Sequence, residues 1–488
     1  MYKPRCEYKM PGGKEPLTII DTAPIVDPTP SIPHANAILF DRYRIENLLR
    51  SGIERLGGTV EYGTELRGFE QFPDRVDAVL LTSQGQPELL SCHWLVGADG
   101  AEGITRQELG LSFLGETRHG EPMVLGMIEV QGLASEYWHQ WGSLTAGGLM
   151  LLPTIEKPGY FGFFLSGGAL DLKRLVTDEQ ALRHLLRKRV DREDLVFGRI
   201  DFVIAYRPDI RMVKQFSEGR VFVAGDAAHV HSLVGSQGMN SGFIDAFNLA
   251  WKLALVEKGL ASPSLLATYT EERLPVIAEM IEKSTQLHDA IGRSEDAGWE
   301  RGGGLHQLGV NYRWSSIVVD DRTPKVLGPQ HIDPYGSGTD GTLRAGDRAP
   351  DAPELVPADG HNGSDETLVS LRLFSIFGPE HHTVILFNTP EDLTGYILLA
   401  VKKYRPGLIK TVLIRPQSIA GLSLRVGCQP DLTVVDQGGH AAAGYQVSPE
   451  KPMIVIVRPD GYVGGIVYGY YSFTKYFGGI FSVAGDRM

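Results

Sequence analysis

The clearest change in the pattern of apolar and polar positions lies between Arg220 and Leu255. Val221, Phe222, Val223 and Ala224 form a short apolar run with β-branched members, and Gly225-Asp226 ends it. A polar, glycine-rich loop follows, and a helix opens between Met239 and Gly242. Phe243, Ala246, Phe247, Ala250, Leu253 and Ala254 recur at helical spacing, which predicts one buried stripe. A strand, a tight turn and a helix in that order present a carboxylate and free backbone N–H groups beside a helix N-terminus. Hydrogen bonds and the macrodipole together can hold a hydroxylated, anionic molecule there.

Elsewhere the pattern is plainer. Residues 1–37 read as irregular, with one strand at 17–20. A helix is predicted over 41–56, where Ile45, Leu48, Leu49, Gly52, Ile53 and Leu56 share a face. Strands follow at 59–62, 68–72 and 76–82. The run HWLVGADG, 93–100, is a buried strand ending on Asp99, and Glu102-Gly103-Ile104-Thr105-Arg106 opens a helix through Leu109. Between 113 and 202 the rhythm becomes alternating: strands at 123–130, 148–153 and 160–165, a helix at 178–190, then a strand at 199–206. A long helix covers 262–291. Residues 292–341 are rich in Gly, Asp and Arg and read as a linker. The segment GSGTDG, 336–341, formally fits GxGxxG, but no buried strand precedes it and no helix follows, so it is rejected as a dinucleotide site. From Leu343 onward, strands at 383–387, 409–414, 432–436 and 453–457 form a β/α unit, with a tight turn at 458–463.

Composition narrows the picture. A chain of 488 residues with 42% hydrophobic and 22% charged positions has the makings of two or three soluble domains. A net charge of -12 argues against nonspecific nucleic-acid binding. No apolar run has the length of a membrane span, so no membrane association is expected. Cys6, Cys92 and Cys428 have no CxxC spacing, and His381-His382 and His440 no metal-ligand spacing. A reducing, cytoplasmic setting follows, with Cys428 a buried structural thiol.

The stretch GDAAHVHSLVGSQGMNSGFIDAFNLAWKLAL, 225–255, resembles the second flavin-binding motif of the single-component FAD-dependent aromatic hydroxylases, in their phenol-hydroxylase-like branch. Residues 93–109 are similar to the family's DG motif, which serves FAD and indirectly the nicotinamide cofactor. One departure is plain: the family usually carries Arg-Ser or Asn-Ser where Glu102-Gly103 stands. The resemblance runs from Phe40 to Val463 and implies an α/β fold of the para-hydroxybenzoate hydroxylase type. It comprises an FAD-binding Rossmann-like domain (1–112 and 208–291), an inserted β-sheet substrate domain (113–207), a linker (292–342) and a thioredoxin-like C-terminal domain (343–488) used for dimerisation. The Tyr269, Glu272, Arg273 and Pro275 pattern is a structural hallmark of the family, packing its helix beneath the flavin domain.

The same resemblance implies the site. Arg42 reaches the ribityl-pyrophosphate region, where a guanidinium offers forked donors; read alone, it is a solvated charge at a helix start. Asp99 and Gly225-Asp226 serve FAD, with Asp226 on the ribityl chain, although a carboxylate in a turn also ends many strands. Gly238, Met239 and Asn240 present N–H groups to the flavin at the helix start. Tyr206, five residues before Arg211, matches the spacing of an active-site tyrosine able to bond a substrate phenolate; a sheet tyrosine packed on its neighbour is the plain alternative. Arg211 pairs with a carboxylate or supports the flavin site.

The activity implied is hydroxylation of a phenolic or polycyclic aromatic compound, with NADPH as reductant and O2 added at flavin C4a as a hydroperoxide. A homodimer is implied as well. Family members open with a strand, GxGxxG and a helix ahead of the counterpart of Arg42, an order that residues 1–37 do not show. That difference implies an N-terminally incomplete hydroxylase with exposed apolar faces on neighbouring strands, and it carries a second reading: a non-catalytic, dimerising or regulatory relic. A third, a thioredoxin-fold reductase, fails on cysteine count.

Overall fold

The computed structural model describes residues 3–22, 25–40, 42–117, 122–144, 147–155, 157–167, 170–231, 237–291, 307–323, 332–336, 341–358, 370–417 and 429–482. Side chains of 287–291 are outside the description, as are His331, residues 337–340 of GSGTDG and Cys428.

A seven-stranded sheet forms the first layer. Its order is Val196–Tyr206, Met123–Gln131, Tyr160–Ser166, Leu149–Pro153, Trp138–Trp141, Arg5–Tyr8 and Thr18–Ile20. Alternation gives it two unlike faces. Val124, Ile128, Val130, Phe161, Phe163, Leu165, Leu149 and Leu151 pack against Leu175, Leu182, Leu186 and Val190 of the helices Leu172–Thr177 and Glu179–Val190. Asp178 caps the second helix by accepting from the Ala181 N–H. On the other face the register sets Tyr206 beside Met123, Ile204 beside Leu125, Phe202 beside Met127, and Phe164 beside Leu125 and Met150.

Residues 1–37 are less irregular than expected. Arg5–Tyr8 is a strand, parallel to Trp138–Trp141, because Cys6 and Tyr8 alternate into the core. Residues 59–62 are no strand: Val60 and Tyr62 are exposed, and no partner strand meets them among the described residues. The neighbouring meander Glu65–Gln71, Val76–Leu81, Pro87–Cys92 is present.

Another sheet is smaller. Val221–Val223 pairs in parallel with Leu95–Gly97 and antiparallel with Ser217–Glu218. All three of its residues are buried. Helices Gly238–Glu257 and Ala267–Ile291 cover it. The buried stripe of the first helix is not the one its apolar spacing predicts. Ser241, Asp245, Asn248, Leu249, Trp251, Lys252, Leu255 and Val256 face inward, whereas Ala246, Phe247, Ala250 and Ala254 are exposed and Phe243 and Leu253 half-buried. Polar residues can occupy the inner face because each finds a charged or hydrogen-bonding partner on the next helix, as described below.

Helix Arg42–Arg55 buries none of its residues; Leu48, Leu49, Ile53 and the following Leu56 are exposed, and so is Val96 of the edge strand Leu95–Gly97. These apolar faces are open among the described residues.

A second seven-stranded sheet builds the C-terminal part, in the order Val319–Asp320, Val463–Val467, Met453–Val457, His382–Phe387, Ile409–Pro416, Leu432–Asp436, Leu355–Pro357. Residues 307–323 and 332–336, within the segment read as a linker, are packed. Val310, Asn311, Tyr312 and Tyr335 are buried, and Val319–Asp320 joins the sheet.

Candidate functional site

The site is built around the turn after Val221–Val223. Gly225 has φ +59°, a left-handed conformation that favours glycine, and it lies against Gly242 of the next helix, where a Cβ on Gly242 would sit 3.4 Å from the Gly225 Cα. The turn is tied on every side. Gly225 N–H donates to Asp245 Oδ2 at 3.0 Å. Ala228 N–H donates back to Gly225 O at 2.8 Å. Arg106, from the other motif, donates through Nη1 to Ala227 O at 3.2 Å and stacks over Phe113. Tyr269 O–H donates to Val223 O at 3.0 Å.

Asp226, between these fixed points, is exposed, and its carboxylate bonds to no described residue. Beside it the 238–257 helix begins. Its first i to i−4 bond is Ser241 N–H to Gln237 O, so the N–H groups of Gly238, Met239 and Asn240 have no acceptor one turn back within the helix. Met239 and Asn240 are exposed. A carboxylate with no partner among the described residues, beside the N–H groups of a helix start, suits a ligand that carries both hydroxyl donors and electronegative acceptors. The ribityl and isoalloxazine parts of FAD answer that description, so these residues fit the cofactor.

Asp99 is used differently. Its Oδ2 accepts from Thr105 N–H at 2.9 Å and Thr105 O–H at 2.8 Å, holding the start of helix Ile104–Glu108. Gly103 makes this possible, because a Cβ there would lie 2.2 Å from the Asp99 Cγ. The Glu102-Gly103 departure thus opens the space into which Asp99 folds. Arg42 starts its helix with a side chain 85% exposed, and its Nε meets Glu46 at 3.1 Å. Tyr206 ends its strand half-buried on the Met123–Leu125–Phe164 face of the first sheet. Arg211 pairs with Asp209 at 2.8 Å and donates to Thr117 and to Phe113 O, so its partner is indeed a carboxylate.

Beneath the turn lies a polar network that the motif reading does not reach. Asp245, with no exposure, accepts from Gly225 N–H, from His229 Nε2 at 2.7 Å and, on its other oxygen, from Arg273 Nε at 2.7 Å. Burial pushes the Asp245 carboxyl up, and Arg273 with His229 pulls it back below the ordinary carboxylate range. Arg273 also donates to Tyr312 O–H at 3.1 Å. Glu272, its neighbour, takes both arms of Arg458 and the ammonium of Lys252 at 2.8 Å. Burial pushes the Lys252 ammonium down to about 8, with Glu272 acting against that shift. The signal for this network is in the sequence as polar residues at helical spacing: Asp245, Asn248 and Lys252 on one helix face. Among the described residues no group of side chains could hold a metal ion, and no helix is long and apolar enough to cross a membrane.

Comparison with known proteins agrees with this geometry. Residues 30–284 match the family described as FAD binding domain. A flavin-dependent monooxygenase of Mycobacteroides abscessus is 35% identical over 82% of this chain and 78% of its own length. Pentachlorophenol 4-monooxygenase of Sphingobium chlorophenolicum is 29% identical over 87% of this chain and 75% of its own. The crystal structure of the flavin-dependent monooxygenase PieE with FAD and substrate superposes with a TM-score of 0.70, at 21% identity, over 90% of this chain and 80% of that one. Aklavinone-11 hydroxylase, solved with FAD and aklavinone, gives 0.67 at 22% identity, over 87% of this chain and 74% of that one. The chain therefore belongs to the FAD-dependent aromatic monooxygenases.

Proposed function

We propose that this chain hydroxylates a phenolic or polycyclic aromatic compound, using NADPH as reductant and O2 as oxygen source. FAD supplies the redox chemistry and the activation of oxygen; the protein supplies binding, orientation and exclusion of water. Asp226 accepts from the ribityl hydroxyls. The N–H groups of Gly238, Met239 and Asn240 face the flavin, where the positive end of the helix favours negative charge by ~0.3–1 kcal/mol. Asp99 and Arg42 take a smaller share, since each already meets a partner of its own, Thr105 and Glu46.

The substrate face is the apolar side of the first sheet, with Met123, Leu125, Met127 and Phe164 offering flat, adaptable surface to an aromatic ring. Tyr206 at its edge accepts or returns the proton of the substrate hydroxyl, raising electron density on the ring to be attacked. The names of the relatives support an aromatic substrate with at least one hydroxyl group.

The parallel run of 382–387, 409–416 and 432–436, the antiparallel 453–457 and 463–467, and the closing helix Tyr470–Ile480 support reading 343–488 as a thioredoxin-like domain and dimerising unit.

The observation that carries the reading is Asp226: an exposed carboxylate, unbonded among the described residues, on a turn whose Gly225 N–H and Ala227 C=O are both bonded. The test is FAD titration of Asp226→Ala. Loss of affinity with an unchanged apo melting temperature supports the role; unchanged affinity removes it. Oxidation of NADPH against NADH, followed with a panel of phenols, tests the reductant and the substrate class.

A further inference from the structure

We propose that Asp245, which lies fully buried behind the turn, is the positioning residue that aims Asp226 at the cofactor. The inference rests on the reading of Asp226 given above. Asp226 is flanked by two backbone groups, the Gly225 N–H before it and the Ala227 C=O after it. Each is held by a buried charged side chain: Asp245 takes the first at 3.0 Å, and Arg106 donates to the second at 3.2 Å. The residue between them is left with no hydrogen bond among the described residues. Fixing both shoulders of an exposed carboxylate is how a turn is preorganised for a partner that is not protein.

Asp245 is also the point where three elements meet. Oδ2 accepts from Gly225 of the turn and from His229 at the start of strand His229–Val230, and Oδ1 accepts from Arg273 of the 267–291 helix. A buried carboxylate is costly unless it is hydrogen-bonded and its charge is matched; Asp245 accepts three hydrogen bonds and faces the Arg273 guanidinium. Gly225 cannot relax by itself. Its left-handed φ suits the absence of a side chain, and Gly242 packs against it, a Cβ there falling 3.4 Å from the Gly225 Cα. If Asp245 loses its charge, Arg273 and His229 compete for one neutral oxygen and the Gly225 N–H is released. The turn can then rotate, and Asp226 swings with it.

The test uses the full chain and reads FAD affinity by flavin fluorescence, with apo melting followed by circular dichroism. Four proteins are compared: wild type, Asp226→Ala, Asp245→Asn and the double variant. Asp245→Asn is expected to weaken FAD binding ~10-fold or more, the scale for disturbing a hydrogen bond to a charged group. A role through Asp226 makes the two changes non-additive, so the double variant binds no more weakly than Asp226→Ala alone. A residue that only supports the fold would instead lower the melting temperature and multiply with Asp226→Ala, which overturns the proposal. Wild-type affinity in Asp245→Asn overturns it as well. Unchanged affinity in Asp226→Ala brings down the underlying reading, and the proposal with it. Should Asp245→Asn fail to fold, Arg273→Lys keeps the buried charge but removes the Nε donor from Asp245. It must then show the same loss and the same non-additivity; losses that multiply overturn the proposal.

Discussion

Glu272 and Arg458 lie 186 residues apart in the chain and face each other as a bidentate ion pair with no solvent exposure, at 2.7 and 2.9 Å. The pair joins the helix beneath the flavin turn to the strand-to-strand turn of the C-terminal sheet. Asp460 sits on the other side of Arg458, and Trp251 Nε1 donates to Asp460 at 3.1 Å. Because Arg273 is the next residue along the helix, one turn of backbone serves both the C-terminal sheet and the cofactor turn.

Removing one partner should therefore cost more than an ordinary surface charge. Arg458→Met leaves Glu272 with Lys252, Asn248 and Ser315, and Asp460 with Trp251, all out of water. The expected loss is about 3–5 kcal/mol of unfolding free energy, read from urea melts of the apo protein. A loss below about 1 kcal/mol would mean that water or another cation replaces the guanidinium.

Acid sensitivity should begin above the carboxylate range. His382 is buried among the rings of Trp251, Tyr476, Phe477 and Phe481. Burial first, then the nearby Arg458, pushes its imidazole from 6.5 down to about 3. Between those values the unfolded chain binds a proton that the folded chain does not. Stability therefore falls as pH drops from 6.5, by at most about 1.4 kcal/mol per unit from this group. The lowered carboxyls Glu272 and Asp245 add their share only below about pH 4.5. His382→Met should flatten the urea midpoint between pH 6.5 and 5. Burial shifts His139 and His381 the same way, so the slope shrinks without vanishing.

Gly103 should not tolerate a side chain while Asp99 keeps its place. Gly103→Ala puts a Cβ 2.2 Å from the Asp99 Cγ and displaces the carboxylate from Thr105. A cap of this kind contributes about 1 kcal/mol. Asp99→Ala should cost the same, and the two changes together no more than either alone.

Tyr206→Phe separates binding from proton handling. The ring remains on the apolar face, so FAD affinity and melting temperature should stay as in wild type. Turnover of a phenolic substrate should fall ~10²-fold or more, the usual share of a positioned acid or base. Unchanged turnover would return Tyr206 to a packing role.

Much of this was legible in the sequence because local chemistry decides it. The strand at 221–223, the Gly-Asp turn and the helix opening at Gly238 follow from β-branched residues, a left-handed glycine and helical spacing. The alternating strands of the first sheet follow from period two. The buried side of the 238–257 helix was not legible from apolar spacing, since its inward face is Asp245, Asn248 and Lys252. Their partners Glu272 and Arg273 arrive from another helix and Arg458 from a strand turn, and no single window contains both halves of a pair. The strand at Arg5–Tyr8 was hidden for a similar reason. Four residues show no period by themselves and become a strand by pairing with Thr18–Ile20 on one side and, on the other, with Trp138–Trp141, more than a hundred residues later.

The most direct measurement is the visible absorption spectrum of the purified chain after titration with FAD and removal of the excess, followed by addition of NADPH with and without a phenolic ligand. Flavin absorption that stays with the protein and is bleached by NADPH, faster when the ligand is present, is the result predicted here. A protein that elutes colourless, or a bound flavin that NADPH leaves oxidised in the presence of every phenol tried, would contradict the account.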